Sequence, residues 1–235
     1  MEIFDPVRGA FEEAGTLALE RAGLTATPYP SSRGDRVLFA GGRGPAGAQD
    51  SADLYAPGLR AVSDTRALLS PRAGHTAVAL SGAILLLGGH PTNQSGEVFR
   101  FDTESLAPTV GRMGSPRLLA AAVVTDAGRV LVGGSGATIE LYDPATGQFT
   151  HLVELSRPRE RLALAPLPGD AALVASGGEA GTPLAEAELV RGSSLSSTER
   201  PMEAARYGHT LTALSGGAVL VVGGAAAPGE VFEPN

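Results

Sequence analysis

The stretch PRLLAAAVVTDAGRVLVGGSGATIELYDPATGQF, residues 116–149, decides the fold. It contains an arginine, two short apolar runs separated by a turn, a Gly-Gly pair, and a segment that alternates polar and apolar residues before ending in Tyr-Asp-Pro. Short apolar or alternating runs bounded by glycine, proline and aspartate are typical of β-strands joined by tight turns. The stretch therefore predicts four short strands, the last of which begins near Phe149.

The Gly-Gly pair recurs along the whole chain and always ends an apolar run. Successive pairs start 44 to 47 residues apart, at Gly41-Gly42, Gly88-Gly89, Gly133-Gly134, Gly177-Gly178 and Gly223-Gly224. A repeat of this length predicts several equivalent units that pack on their neighbours, and we assign these glycines a structural role. The expected units lie within one domain, 1–235, at about 21–66, 67–112, 113–156, 157–201, and 202–235 together with 1–20.

Each unit also opens with an arginine before its first apolar run. These arginines are Arg21, Arg72, Arg117, Arg159 and Arg206. Together with the glycine pairs and the Tyr-Asp-Pro strand, they resemble the kelch repeat over essentially the whole chain. The final tryptophan of that family is absent, since the chain has no Trp, and Phe149 or a leucine takes its place. The resemblance implies an all-β kelch-type β-propeller, similar to the superfamily of the galactose oxidase central domain.

The number of blades depends on how the two ends meet. EIFDPVRGAF (2–11) matches IELYDPATGQF (139–149), so the chain starts on a third strand, and EVFEP (230–234) shows that it also ends on one. We expect five four-stranded blades, with residues 11–17 supplying the fourth strand of the last blade. Such pairing removes exposed sheet edges. The alternative is a fragment of a larger propeller.

The amino-acid composition argues against several classes of binding partner and site. The net charge is −7 and no block of Lys or Arg occurs, which argues against nucleic-acid binding. Cysteine is absent, which excludes disulfides and thiolate metal sites. Two long uncharged stretches, 73–96 and 207–229, contain turn residues that fit hairpins, so we expect no membrane insertion. We predict an extracytoplasmic location if a signal peptide lies upstream of Met1.

The histidines offer one enzymatic alternative. RYGHT (206–210) is similar to the Tyr-His segment that carries copper ligands in the copper radical oxidases of that superfamily. Here Gly208 separates Tyr207 from His209, which moves the two side chains relative to each other. We therefore predict a non-enzymatic protein without metal or cofactor, which binds a protein or a small anionic or carbohydrate ligand. A carbohydrate or alcohol oxidase, or a purely structural module of a larger surface protein, are the alternatives.

The repeated arginines have a structural and a functional interpretation. In the structural one each guanidinium binds carbonyls or carboxylates between neighbouring blades. In the functional one they form a ring that captures an anion, at Arg72, Arg117, Arg159 and Arg206. Arg161 is not repeated in other units and is the preferred ligand contact, together with His90 in the loop after a glycine pair. Acidic residues of the third strands are expected on solvated outer faces.

Overall fold

The computed structural model describes residues 1–90 and 93–234. These residues form antiparallel β-sheets together with one 3-10 turn, Pro57–Leu59. The prediction of an all-β chain is confirmed. No helix within the described ranges is long and apolar enough to cross a membrane.

A short hairpin precedes five larger sheets. The hairpin consists of β1 (Glu2–Asp5) and β2 (Ala10–Glu13). The first sheet contains β3 (Thr25–Tyr29), β4 (Arg36–Ala40), β7 (Ser51–Ala56) and β8 (Ala61–Ala67), and encloses the small hairpin β5 (Arg43–Gly44) and β6 (Gly47–Ala48). The second sheet contains β9 (Thr76–Leu80), β10 (Ala83–Leu87), β11 (Gly96–Arg100) and β12 (Ser105–Pro108).

The remaining sheets follow the same plan. The third sheet contains β13 (Ala121–Val124), β14 (Val130–Gly133), β15 (Gly136–Asp143) and β16 (Gln148–Arg159). The fourth contains β17 (Ala163–Leu167), β18 (Ala171–Ala175), β21 (Ala187–Arg191) and β22 (Ser194–Ser197), and encloses β19 (Gly178–Glu179) and β20 (Thr182–Pro183). The fifth has three strands, β23 (Thr210–Ala213), β24 (Val219–Val222) and β25 (Glu230–Phe232).

The sheets pack on one another in chain order. In every sheet the strands are neighbours in sequence order, so the first strand is always an edge. These first strands contact each other in series: β3 with β9, β9 with β13, β13 with β17, and β17 with β23. Pro28 and Pro166 lie in such edge strands, where a missing N–H is tolerated.

Alternation of apolar side chains explains the packing. Along β10, Ile84 and Leu86 belong to the core shared with the first sheet, whereas Leu85 and Leu87 belong to the core shared with the third. All four are 0% exposed. Side chains of a strand point alternately to its two faces, so a continuous apolar run is what a sheet buried on both faces requires. Burying each such side chain contributes about 1.5–3 kcal/mol.

In the first two sheets, the first residue of the glycine pair lies where two sheets touch. A Cβ on Gly41 would lie 2.3 Å from the carbonyl oxygen of Arg72, and one on Gly88 would lie 2.3 Å from that of Arg117. Both residues have positive φ, 57° and 68°. Glycine is therefore required for the close approach as well as for the backbone conformation.

The fourth sheet departs from this alignment by one residue. Ser176 and Gly177, with φ of 50° and 102°, take the conformation that Gly88 and Gly89 have in the second sheet at 68° and 101°. The hydroxyl of Ser176 donates to the carbonyl oxygen of Arg206 and so joins the fourth sheet to the fifth. In the fourth sheet the two residues with this conformation are therefore Ser176 and Gly177, one position before the Gly177-Gly178 pair of the sequence.

The predicted closure by the N-terminal segment is wrong. Residues 10–13 pair with β1, and the fifth sheet has three strands among the described residues, so four sheets rather than five have four strands. The segment forms its own hairpin because Phe4 faces Phe11 across the two strands and Glu12 forms an ion pair with Arg60 of the first sheet. The edge of β1 is thus paired with β2 rather than with a strand of the fifth sheet.

Candidate functional site

Each sheet buries one arginine against one carboxylate. The side chains of all five unit-opening arginines are 0% exposed. The pairs are Arg21–Asp53 at 3.3 Å, Arg72–Glu97, Arg117–Glu140 and Arg159–Glu188 at 2.6 Å, and Arg206–Glu230 at 2.8 Å. In every sheet the carboxylate belongs to a residue of the third strand. The expectation that these acidic residues are solvated is wrong, because each is enclosed by its arginine and by the segment before that arginine. Glu97 accepts the N–H of Leu69, and Glu188 accepts that of Ser156.

In the third sheet, both terminal nitrogens of the Arg117 guanidinium donate hydrogen bonds to groups of the protein. Arg117 donates from Nη2 to Glu140 at 2.6 Å and to the carbonyl oxygen of Thr138 at 3.0 Å, and from Nη1 to the carbonyl oxygen of Gly134 at 2.8 Å. Glu140 in turn accepts the backbone N–H of Gly114 at 2.7 Å. All of these partners belong to the protein, so the geometry favours the structural role over anion capture.

The other arginines proposed for the anion ring are placed in the same way. Arg72, Arg159 and Arg206 also donate to backbone carbonyl oxygens of their own units. Burial lowers the pKa of the Arg159 guanidinium, while the charge of Glu188 opposes that shift. The contacts lie within one sheet, whereas the sequence interpretation placed them between blades. Other groups link the sheets, such as the N–H of Gly42, which donates to the Arg72 carbonyl oxygen at 2.8 Å.

The second residue after each arginine has a left-handed backbone. These residues are Gly23 (φ 64°), Gly74 (60°), Leu119 (53°), Arg161 (49°) and Gly208 (71°). Three of the five are glycine, for which this conformation is free of strain. A side chain there costs about 1 kcal/mol, so Leu119 and Arg161 are departures from what the backbone favours. The Arg-x-Gly pattern at three units is visible in the sequence and could have shown that Arg161 replaces a glycine.

Arg161 is held on an aromatic ring from the next sheet. Its guanidinium carbon lies 5.0 Å from the ring centroid of Tyr207, within the range of a cation–π contact. The ring of Tyr207 in turn packs against the backbone of Gly178, where a Cβ would lie 2.4 Å from a ring carbon. The contact was not predicted, because it joins the start of the fourth sheet to the start of the fifth.

This Arg161 site, defined by Arg161, Tyr207 and Gly178, is open to solvent. Arg161 is exposed, and none of the described carboxylates forms an ion pair with it. Leu118 and Leu119, which precede the third sheet and are 43% and 39% exposed, lie beside Gly74 of the second unit rather than in this site. The site therefore presents an exposed cation that is oriented by an aromatic ring.

His90 does not join this site. Its backbone forms an isolated bridge with Ala73 in the second sheet, and its side chain is exposed. The third sheet lies between it and Arg161 of the fourth. The loop that follows includes residues 91 and 92, which lie outside the described ranges.

His75 and His209, each in a Gly-His-Thr sequence, are buried in the protein. His75 and His209 are each 7% exposed, and Nε2 of His75 lies 2.8 Å from the hydroxyl of Thr25. Burial lowers the pKa of His75 to about 3 and also lowers that of His209, with help from the charges of Arg72 and Arg206. Within the described ranges, no group of three or more His, Asp or Glu side chains is placed to hold a metal ion.

Comparisons with known proteins give no match that indicates a function. No protein-family model matches the chain, and no curated protein matches it. The Arg161 site is therefore the basis of the proposal that follows.

Proposed function

We propose that the chain is a kelch-like β-propeller that acts as a non-enzymatic binding module through the Arg161 site. The propeller is supported by the serial contacts of the first strands and by the repeated arginine–carboxylate pair. Each of these features recurs with the repeat and serves the fold. Arg161 departs from the repeat, and binding residues are expected among such exceptions.

The backbone of Arg161 is the observation that carries the proposal. Arg161 has φ of 49° at a position where three other units have glycine, at Gly23, Gly74 and Gly208. Strain of this kind, when its side chain is exposed and oriented, indicates a functional constraint. Packing does not explain it, because the guanidinium is exposed and its one contact among the described residues is with the ring of Tyr207.

The geometry also indicates the ligand chemistry. The guanidinium of Arg161 lies over the Tyr207 ring, and the Cδ2–Cε2 edge of that ring lies against Gly178, so a sugar cannot stack on the face that Arg161 covers. The guanidinium keeps its N–H groups for solvent, and a planar guanidinium pairs best with a carboxylate. We therefore propose a carboxylate-bearing ligand, from either an acidic peptide segment or a uronic acid.

Replacing Arg161 by glycine separates binding from stability. Isothermal titration calorimetry with a panel of Asp/Glu-rich peptides and of oligogalacturonates should show binding to the wild-type chain. Arg161→Gly should lose that binding, yet it should be as stable as the wild type or up to about 1 kcal/mol more stable, because strain is relieved. Arg112→Ala, at another exposed arginine, should bind like the wild type.

The two arms of the panel distinguish the source of the carboxylate. Binding of peptides alone indicates a protein partner, and binding of oligogalacturonates alone indicates a polysaccharide. The proposal is overturned if no probe binds the wild-type chain, or if Arg161→Gly binds as tightly as the wild type.

A further inference from the structure

Apolar side chains remain exposed at both ends of the series of sheets. On the N-terminal hairpin, Phe4 is 51% and Phe11 is 68% exposed. On the fifth sheet, Val222 is 46% and Val231 is 55% exposed. Grouped apolar exposure of this kind marks an interaction surface.

The hairpin face has a buried counterpart within the same chain. Phe4 lies opposite Phe11 in β1 and β2, as Tyr142 lies opposite Phe149 in β15 and β16. The ring centroids are 5.2 Å apart in the first pair and 4.8 Å in the second. The hairpin therefore reproduces the third and fourth strands of a sheet, with its aromatic pair on the equivalent face.

The counterpart shows what such an aromatic pair packs against. Tyr142 is buried in a cluster with Leu85 and Leu87 of the second sheet, and Phe149 and Val98 pack at its margin. Leu85 and Leu87 are both 0% exposed. The surface that receives an aromatic pair is thus the apolar face of the second and third strands of the preceding sheet.

The fifth sheet carries the same receiving face without an occupant in the structure. Its sequence AVLVVGG (218–224) matches AILLLGG (83–89). Leu220 lies opposite Val231, as Leu85 lies opposite Val98. Leu220, Val222 and Val231 therefore take the places of Leu85, Leu87 and Val98.

We propose that the chain associates head to tail, with the Phe4–Phe11 face of one copy packed on the Leu220–Val222–Val231 face of the next. The occupant is a second copy because the two faces match the two halves of an interface within this chain, and both are exposed on the same chain. Each hairpin is held beside its own first sheet, where Arg60 donates to the carbonyl oxygen of Glu13 at 3.2 Å and pairs with Glu12.

The two faces are different surfaces, so the interface is heterologous. Such an interface gives rings when the rotation between copies closes, and open filaments when it does not. The packing would repeat an interface already present between the second and third sheets. This inference is independent of the Arg161 site.

Sedimentation velocity and equilibrium between about 1 and about 200 µM test the association. The mass of the wild-type chain should rise with concentration beyond a monomer. Phe4→Ser/Phe11→Ser and Val222→Lys/Val231→Lys should each weaken association at least about tenfold. The first pair changes only exposed side chains, and circular dichroism verifies that both variants fold.

Mixing the two variants gives the sharpest result. Each supplies the intact face that the other lacks, so an equimolar mixture should form a one-to-one dimer and stop there. Leu59→Ser, at a residue 71% exposed and outside both faces, should associate like the wild type. The proposal is overturned if the wild type remains monomeric, if either folded variant associates as the wild type does, or if the mixture forms no dimer.

Discussion

Glu140→Ala tests whether the buried arginine pairs hold the sheets. The substitution leaves the guanidinium of Arg117, which is 0% exposed, without its carboxylate. It removes the donated bonds from Nη2 at 2.6 Å and Nε at 3.1 Å, and it frees the N–H of Gly114. Two carbonyl oxygens remain near the guanidinium, but they carry no full charge. Breaking a buried pair in this way costs about 3–5 kcal/mol.

A matched control comes from an exposed pair between β16 of the third sheet and the residue before β21 of the fourth. Glu186 lies 3.6 Å from Arg157, and their side chains are 45% and 43% exposed. Because water screens such a pair, Glu186→Ala should cost at most about 1 kcal/mol. Both variants remove one carboxylate of equal length, so the comparison isolates burial.

Urea denaturation followed by tyrosine fluorescence and circular dichroism measures the difference. The chain has four tyrosines and no tryptophan, so tyrosine is the fluorescent probe. The midpoint for Glu140→Ala should fall well below that of Glu186→Ala. Equal midpoints for the two variants, or a loss under about 1 kcal/mol for Glu140→Ala, would refute the structural role of the pair.

Two further perturbations have defined outcomes. Gly88→Ala places a Cβ 2.3 Å from the Arg117 carbonyl oxygen and should lower the free energy of unfolding by more than about 2 kcal/mol, measured by thermal denaturation. Gly82→Ala, at a residue with positive φ but no atom within 4 Å, should lower it by about 1 kcal/mol. Equal losses for the two variants contradict the close approach. The folded-state pKa of His75, about 3, lies below the ordinary value of 6.5, so the unfolded chain takes up the proton first and stability falls as the pH drops below 6.5. Between pH 6.5 and pH 5 the loss should reach about 2 kcal/mol, and His75→Leu should flatten this dependence in urea titrations at each pH. An unchanged slope in His75→Leu contradicts the burial argument.

The repeat made the sheets predictable from the sequence. The apolar runs and turn residues predicted an all-β chain, because strand alternation and turn residues are local signals. The exact unit boundaries were not predictable, since β16 continues to Arg159, past the expected boundary at 156. The fourth sheet shows the limit of such alignment, since Ser176 takes a conformation that the sequence assigned to Gly177. A one-residue shift of the left-handed pair along the chain hardly changes the pattern of apolar residues, so the pattern does not reveal the shift.

The arginine partners and the Arg161 site were not predictable in the same way. An acidic residue such as Glu140 alternates with apolar neighbours both on a solvated face and on a face covered by another sheet, so the pattern does not distinguish the two. Arg161 was singled out because it breaks the repeat, but its contact with Tyr207 depends on how two sheets are placed side by side. Contacts between units require the tertiary arrangement.

A crystal structure of the chain tests the central claim most directly. The account predicts that the first strands of successive sheets turn about one common axis, and that Arg21, Arg72, Arg117, Arg159 and Arg206 lie buried against their third-strand carboxylates at one end of the sheets. Sheets stacked face to face as a two-layer sandwich, or arginines of this set open to solvent, would contradict it.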